Sequence, residues 1–145
     1  MTTAPTTYEV HGRSVAREEA SIHAGNQTIP IDALWDADEP SGLPGPAELL
    51  ASALAACMLK NVERSAALIP FSYESAEIDV RSRRQDAPPK FVEFEYEIRL
   101  VTNEDDRRVE MLHRNLNHYG TVYNTLAAVA NVHGTIVAVK PSVEN

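Results

Sequence analysis

Apolar and polar positions alternate cleanly in two stretches of the chain. Ala76, Ile78 and Val80 oppose Glu77, Asp79 and Arg81, and Val92, Phe94, Tyr96, Ile98 and Leu100 oppose Glu93, Glu95, Glu97 and Arg99. A period of two places one face of a strand on a core and the other in water. Gln85 to Pro89 separates the two runs, and an antiparallel hairpin is the pairing predicted. Shorter strands are predicted at Tyr8 to Val15, Ala20 to Ala24 and Thr28 to Ala33, with Gly25-Asn26-Gln27 as a turn. Asp36 to Gly45 is too rich in Asp, Pro, Gly and Ser to extend any regular element and is read as a loop.

Pro46 suits a first helical position and Glu48 a first turn, and the Ala- and Leu-rich sequence that follows predicts a helix to about Leu68. Leu50, Leu54, Cys57, Asn61 and Arg64 recur at steps of three and four, with Leu49, Ala53, Ala56 and Lys60 alongside. This helix is expected to be buried on most sides as far as Lys60. A second helix is predicted from Glu104 to about Tyr119-Gly120, burying Val109, Leu112 and Leu116, with Gly120 in the left-handed conformation that often ends a helix. Thr121 to Ala130 reads as a short helical turn, and Val132 to Val139 as a last strand. The fold class is α+β, with helices on a mostly antiparallel sheet.

The chain has 145 residues, with 43% hydrophobic and 23% charged. These values suit one soluble domain over residues 1–145, with residues 1–7 frayed. A net charge of −8 argues against a sequence-independent nucleic-acid binder. The one basic run, Arg81-Ser82-Arg83-Arg84, is balanced by acids upstream and is read as a solvated hairpin end. The N-terminus carries no basic-then-apolar leader pattern, and Leu49 to Leu59 is too short to span a bilayer, so a cytoplasmic protein without membrane contact is expected. Neither the histidines His11, His23, His113, His118 and His133 nor the carboxylates form a metal-ligand spacing, and no dinucleotide or phosphate loop is present. No metal and no cofactor are expected.

Cys57 is the single cysteine. Taken alone, a cysteine flanked by Ala55, Ala56 and Met58 reads as a small core residue. The string Pro46-Ala47-Glu48-Leu49-Leu50-Ala51-Ser52-Ala53-Leu54-Ala55-Ala56-Cys57 resembles the helix that carries the peroxide-attacking cysteine of the OsmC/Ohr family of thiol-dependent peroxidases. Tyr119-Gly120-Thr121-Val122-Tyr123-Asn124-Thr125-Leu126 is similar to the segment bearing that family's second cysteine, with Gly120 in its place. The resemblance implies an OsmC-like fold, an intertwined homodimer, and Cys57 as the reacting thiol in oxidative stress defence. It also implies an arginine from the N-terminal hairpin beside the sulfur, for which Arg17 ranks slightly ahead of Arg13, and an acid that orients it, a place Glu48 could fill.

Only the thiolate is a competent nucleophile, which is why a guanidinium partner is expected. With no second thiol, a sulfenic acid at Cys57 needs an external thiol or a disulfide across a dimer. Two functions follow: peroxide reduction coupled to an external thiol, or a non-catalytic relative that binds a small molecule or acts as a scaffold after losing the cycle.

Overall fold

The computed structural model describes residues 6–35 and 38–142. These form two units, one up to Leu49 and one from Leu50 onward. Met1 to Pro5 of the expected frayed start, and Asp36 and Ala37 of the expected loop, lie outside the described residues.

The first unit is an antiparallel meander of β1 (Val10–Ser14), β2 (Ala20–Ala24) and β3 (Gln27–Ile31). All three strands are legible in the sequence: β2 has the bounds expected, while the expected first and third strands are slightly longer than β1 and β3. Gly25 turns β2 into β3 at a φ of 62°, where the lack of a Cβ removes the steric cost. Pro30 lacks an N–H and is tolerated because β3 is an edge strand. The loop returns to the sheet through Asp32, whose N–H donates to the Pro44 carbonyl at 3.0 Å.

Helix α1 spans Pro46–Leu68, as its Pro and Glu signals predict. Its burial corrects the expectation. One stripe, Leu54, Met58, Val62 and Ser65, is buried, while Ser52, Ala56 and Leu59 are exposed. The stripe lies one residue round from the one drawn through Cys57, Asn61 and Arg64, because periodicity in an Ala-rich helix leaves the phase of the buried face open.

The second unit holds a sheet in the order β4 (Ser75–Asp86), β5 (Pro89–Val101), β6 (Asn131–Val139). The hairpin β4–β5 is antiparallel, as expected, and its strands run on until two residues, Ala87 and Pro88, join them. The basic run lies within β4: Arg83 pairs with Glu93 at 3.2 Å and Arg84 with Asp86 at 3.3 Å. Strand β6 is parallel to β5, and such a pairing needs a crossover. Helices α2 (Asp106–Tyr119) and α3 (Thr121–Ala127) supply it. Asp105 caps α2 by accepting the Arg108 N–H at 2.9 Å.

Phe94, Tyr96, Ile98 and Leu100 of β5 form the centre of the core with Leu54, Met58 and Val62 of α1 and Val109, Leu112 and Leu116 of α2. Full burial of one such side chain contributes roughly 1.5–3 kcal/mol, so the alternation read in β5 is also its main stabilising feature. No helix among the described residues is long and apolar enough to cross a membrane.

Candidate functional site

Cys57 is a free, half-buried thiol on α1. One turn later Asn61 reaches back to it. The Asn61 Nδ2–H donates to the Cys57 carbonyl at 2.9 Å and to the Cys57 Sγ at 3.5 Å. Neighbours at i and i+4 share a helix face, so this contact is set by spacing. That spacing is the one signal for Asn61 in the sequence, where it shares a stripe with Cys57 and carries no marker of a role.

Gly120 lies across from the sulfur. It is buried, and a Cβ built on it would stand 3.5 Å from Cys57 Sγ. The position that the motif resemblance sets against the family's second cysteine therefore faces Cys57, and it carries no side chain. The expected left-handed conformation is not found: Gly120 has φ −76° and ψ 110°, extended backbone that joins α2 directly to α3. Glycine is required there by crowding. A Cβ would lie 2.7 Å from the Leu116 carbonyl oxygen and 3.0 Å from Tyr123 Cβ.

Arg64 stacks its guanidinium on the Tyr119 ring, 4.6 Å from the centroid, just before Gly120 in the chain. The expected site residues of the first unit have local settings of their own. Arg13 is the fourth residue of β1 and exposed, and Arg17 occupies the β1–β2 turn with a φ of 62°. Glu48, in the first turn of α1, accepts the Gly45 N–H at 3.2 Å, which satisfies a donor at the helix start.

A second polar cluster lies between β5 and α2. The Tyr96 hydroxyl is 2.6 Å from His113 Nε2 and donates to Asn117 Oδ1 at 3.1 Å. Burial pushes the Tyr96 phenol up to about 12, and burial also holds His113 below the ordinary histidine value. Gly134 of β6 makes room for the Tyr96 ring, since a Cβ there would fall 2.4 Å from Tyr96 Cδ2. Tertiary packing creates this cluster, and no spacing in the sequence announces it. No group of three or more His, Cys, Asp or Glu residues suited to a metal occurs among the described residues.

The arrangement around Cys57 offers one accessible sulfur, one amide donor and a glycine. It can support a one-electron-pair attack by sulfur, and it holds no second thiol to resolve the product.

Comparison with known proteins agrees with this architecture. An OsmC-like protein of Mycoplasma pneumoniae superposes with a TM-score of 0.80 at 15% identity, covering 96% of this chain and 100% of that one. An organic hydroperoxide resistance protein OsmC from Legionella pneumophila gives 0.74 at 16% identity, covering 94% and 100%. The organic hydroperoxide resistance protein OhrB of Bacillus subtilis gives 0.66 at 14%, covering 91% and 98%. These likenesses establish the fold. A search of curated protein sequences finds no match. The model of the OsmC-like protein family matches residues 39–133, a span that holds Cys57, Asn61 and Gly120, and the chain belongs to that family.

Proposed function

We propose that this protein is a thiol-dependent hydroperoxide reductase that uses Cys57 as its nucleophile and an external thiol as its reductant. The observation that carries the reading is the place of Cys57, half-buried on α1 inside the matched family segment. Solved structures of the same fold include proteins described as conferring organic hydroperoxide resistance. The role extends to oxidative stress defence in the cytoplasm.

In the proposed reaction the Cys57 thiolate attacks the terminal peroxide oxygen, the O–O bond breaks with its electron pair passing to the alkoxide, and the alkoxide takes a proton from solvent and leaves as the alcohol. Cys57 is oxidised to a sulfenic acid. An external thiol then attacks that sulfur, water departs, and a second thiol reduces the mixed disulfide. Arg17 or Arg13 is the proposed guanidinium for the thiolate, with Glu48 as its orienting acid. A homodimer is the proposed assembly, supported by the exposed apolar residues Tyr8, Val10 and Trp35 of the first unit. Light scattering tests it, and a 16.0 kDa species at all concentrations would exclude it.

The test of the activity is direct. Reduced protein is mixed with cumene hydroperoxide and a sulfenic-acid trap, beside a Cys57→Ser control. Peroxide loss and a Cys57 adduct confined to the parent are expected, and equal peroxide loss in both proteins would refute the reading. Gly120 favours a second reading, a non-catalytic relative that retains the fold as a small-molecule binder or scaffold. A thiol that reacts no faster than a free cysteine, with an apolar ligand retained through purification, would support it instead.

A further inference from the structure

We propose that Asn61 is the positioning residue for the Cys57 sulfur, a hydrogen-bond donor supplied from the same helix. The inference rests on the peroxidase reading for its chemistry and on the geometry of α1 for its existence.

Asparagine within a helix costs roughly 0.6 kcal/mol relative to alanine, because its short amide competes for backbone bonds. Asn61 stands in the middle of α1, so its presence calls for a return. Its Nδ2 reaches two acceptors of the same residue, the Cys57 carbonyl at 2.9 Å and the Cys57 Sγ at 3.5 Å. The carbonyl decides which end of the amide points inward, since Oδ1 in that place would oppose another oxygen at bonding distance. With one N–H spent on the carbonyl, the other is carried to the sulfur. A bond to the carbonyl alone would be ordinary for a helical asparagine; the shared contact to Sγ is the informative part.

The consequence is a sulfur with an amide donor beside it, facing the space that a Cβ on Gly120 would fill. A sulfur anion accepts a hydrogen bond better than a neutral thiol does, so the donor is placed where the attacking species gains most. Fixing the sulfur in one rotamer also keeps it aligned for attack on the peroxide O–O bond. Asn61 touches neither peroxide nor alcohol. It acts through Cys57.

Asn61→Ala removes the donor and favours the helix, and Asn61→Asp keeps the shape while replacing the donor with an acceptor. Second-order rates of Cys57 with iodoacetamide and with cumene hydroperoxide are measured for both, along with thermal midpoints and the pH profile of alkylation. Both rates are expected to fall about three- to tenfold in Asn61→Ala, the size expected for one net hydrogen bond. They should fall further in Asn61→Asp, whose alkylation profile should also move to higher pH. A residue with a merely structural role would leave the neutral Ala variant near the parent rate and its alkylation profile in place, since only the added charge of the Asp variant would then act on the sulfur. Parent-like iodoacetamide rates in both variants would overturn the inference. If the parent reacts with iodoacetamide and never with cumene hydroperoxide, the peroxidase reading fails. The iodoacetamide ordering then still decides the role of Asn61.

Discussion

A Cβ placed on Gly120 would lie 3.5 Å from the sulfur of Cys57 and only 2.7 Å from the carbonyl oxygen of Leu116. The first distance is longer than the roughly 3 Å Cβ-to-sulfur separation within a disulfide by a shift that a rotation of the Cys57 side chain can supply, and the second is too short for the backbone to accept unmoved. Gly120→Cys should therefore do two things at once. The reduced variant should be less stable than the parent by about 1–3 kcal/mol in urea unfolding, the range for forcing extra atoms into a packed site. Under mild oxidation it should form an intramolecular bridge to Cys57, read by mass spectrometry as the loss of two hydrogens. Failure to close that bridge in folded protein would contradict the placement of Gly120 beside Cys57.

Gly134 faces a harder constraint. A Cβ there would stand 2.1 Å from the Tyr96 carbonyl oxygen and 2.4 to 2.5 Å from the ring carbons Cδ2 and Cγ. Tyr96 cannot swing aside without giving up its bonds to His113 and Asn117. Gly134→Ala should lower stability by about 3 kcal/mol, the upper end of overpacking costs, while Thr135→Ala on the exposed side of β6 should change it little. Equal unfolding midpoints for the parent and Gly134→Ala would show that the ring is not held where it is described.

The elements that the sequence announced are those whose signal is local. Glu93, Glu95, Glu97 and Arg99 alternating with Phe94, Tyr96, Ile98 and Leu100 fix which face of β5 is buried, whatever it packs against. Pro46 and Glu48 mark the start of α1 for equally local reasons. The parallel pairing of β6 with β5 depends on where α2 and α3 carry the chain, and Val132 to Val139 reads the same for either direction. The buried stripe Leu54, Met58, Val62 and Ser65 is set by the partner surface. Among Ala and Leu residues the neighbouring stripe through Cys57 is an equal candidate. Cys57 itself was found through resemblance, and its contacts with Asn61 and Gly120 came only with the fold.

Arg108 ties the end of α1 to the start of α2. Its guanidinium donates to the carbonyls of Ile69 at 2.9 Å and Pro70 at 2.6 Å, and its Nε pairs with Glu104 at 3.1 Å. Glu104 in turn accepts the Ser72 N–H at 3.1 Å, and Thr102 donates its hydroxyl to the Ser72 carbonyl at 2.6 Å. The carbonyls have no other described donor, so removing the guanidinium strands them. Because the ion pair is partly exposed, its own share is discounted. Arg108→Ala should cost about 1–2 kcal/mol in denaturant unfolding, mainly through the lost carbonyl bonds. Arg108→Lys, which keeps the charge and loses the fork, should fall between the two. A lysine variant as stable as the parent would assign the effect to charge alone.

His113 should make stability depend on pH in a definite direction. Burial beside Tyr96 holds it below its ordinary value of 6.5, opposed in part by the nearby Glu110. The unfolded chain therefore binds more protons than the folded one as pH falls through 6.5. The stabilising contribution is fully present above that pH and is lost progressively as acid is added. Comparing the parent with His113→Gln isolates this group, because glutamine can still offer Tyr96 a hydrogen bond and does not titrate. Thermal midpoints measured from pH 8 down to pH 5 are expected to fall more steeply in the parent than in the variant, the difference opening below about 6.5. Parallel curves would mean that His113 takes up its proton in the fold as readily as in the unfolded chain, and that its burial does not resist charging.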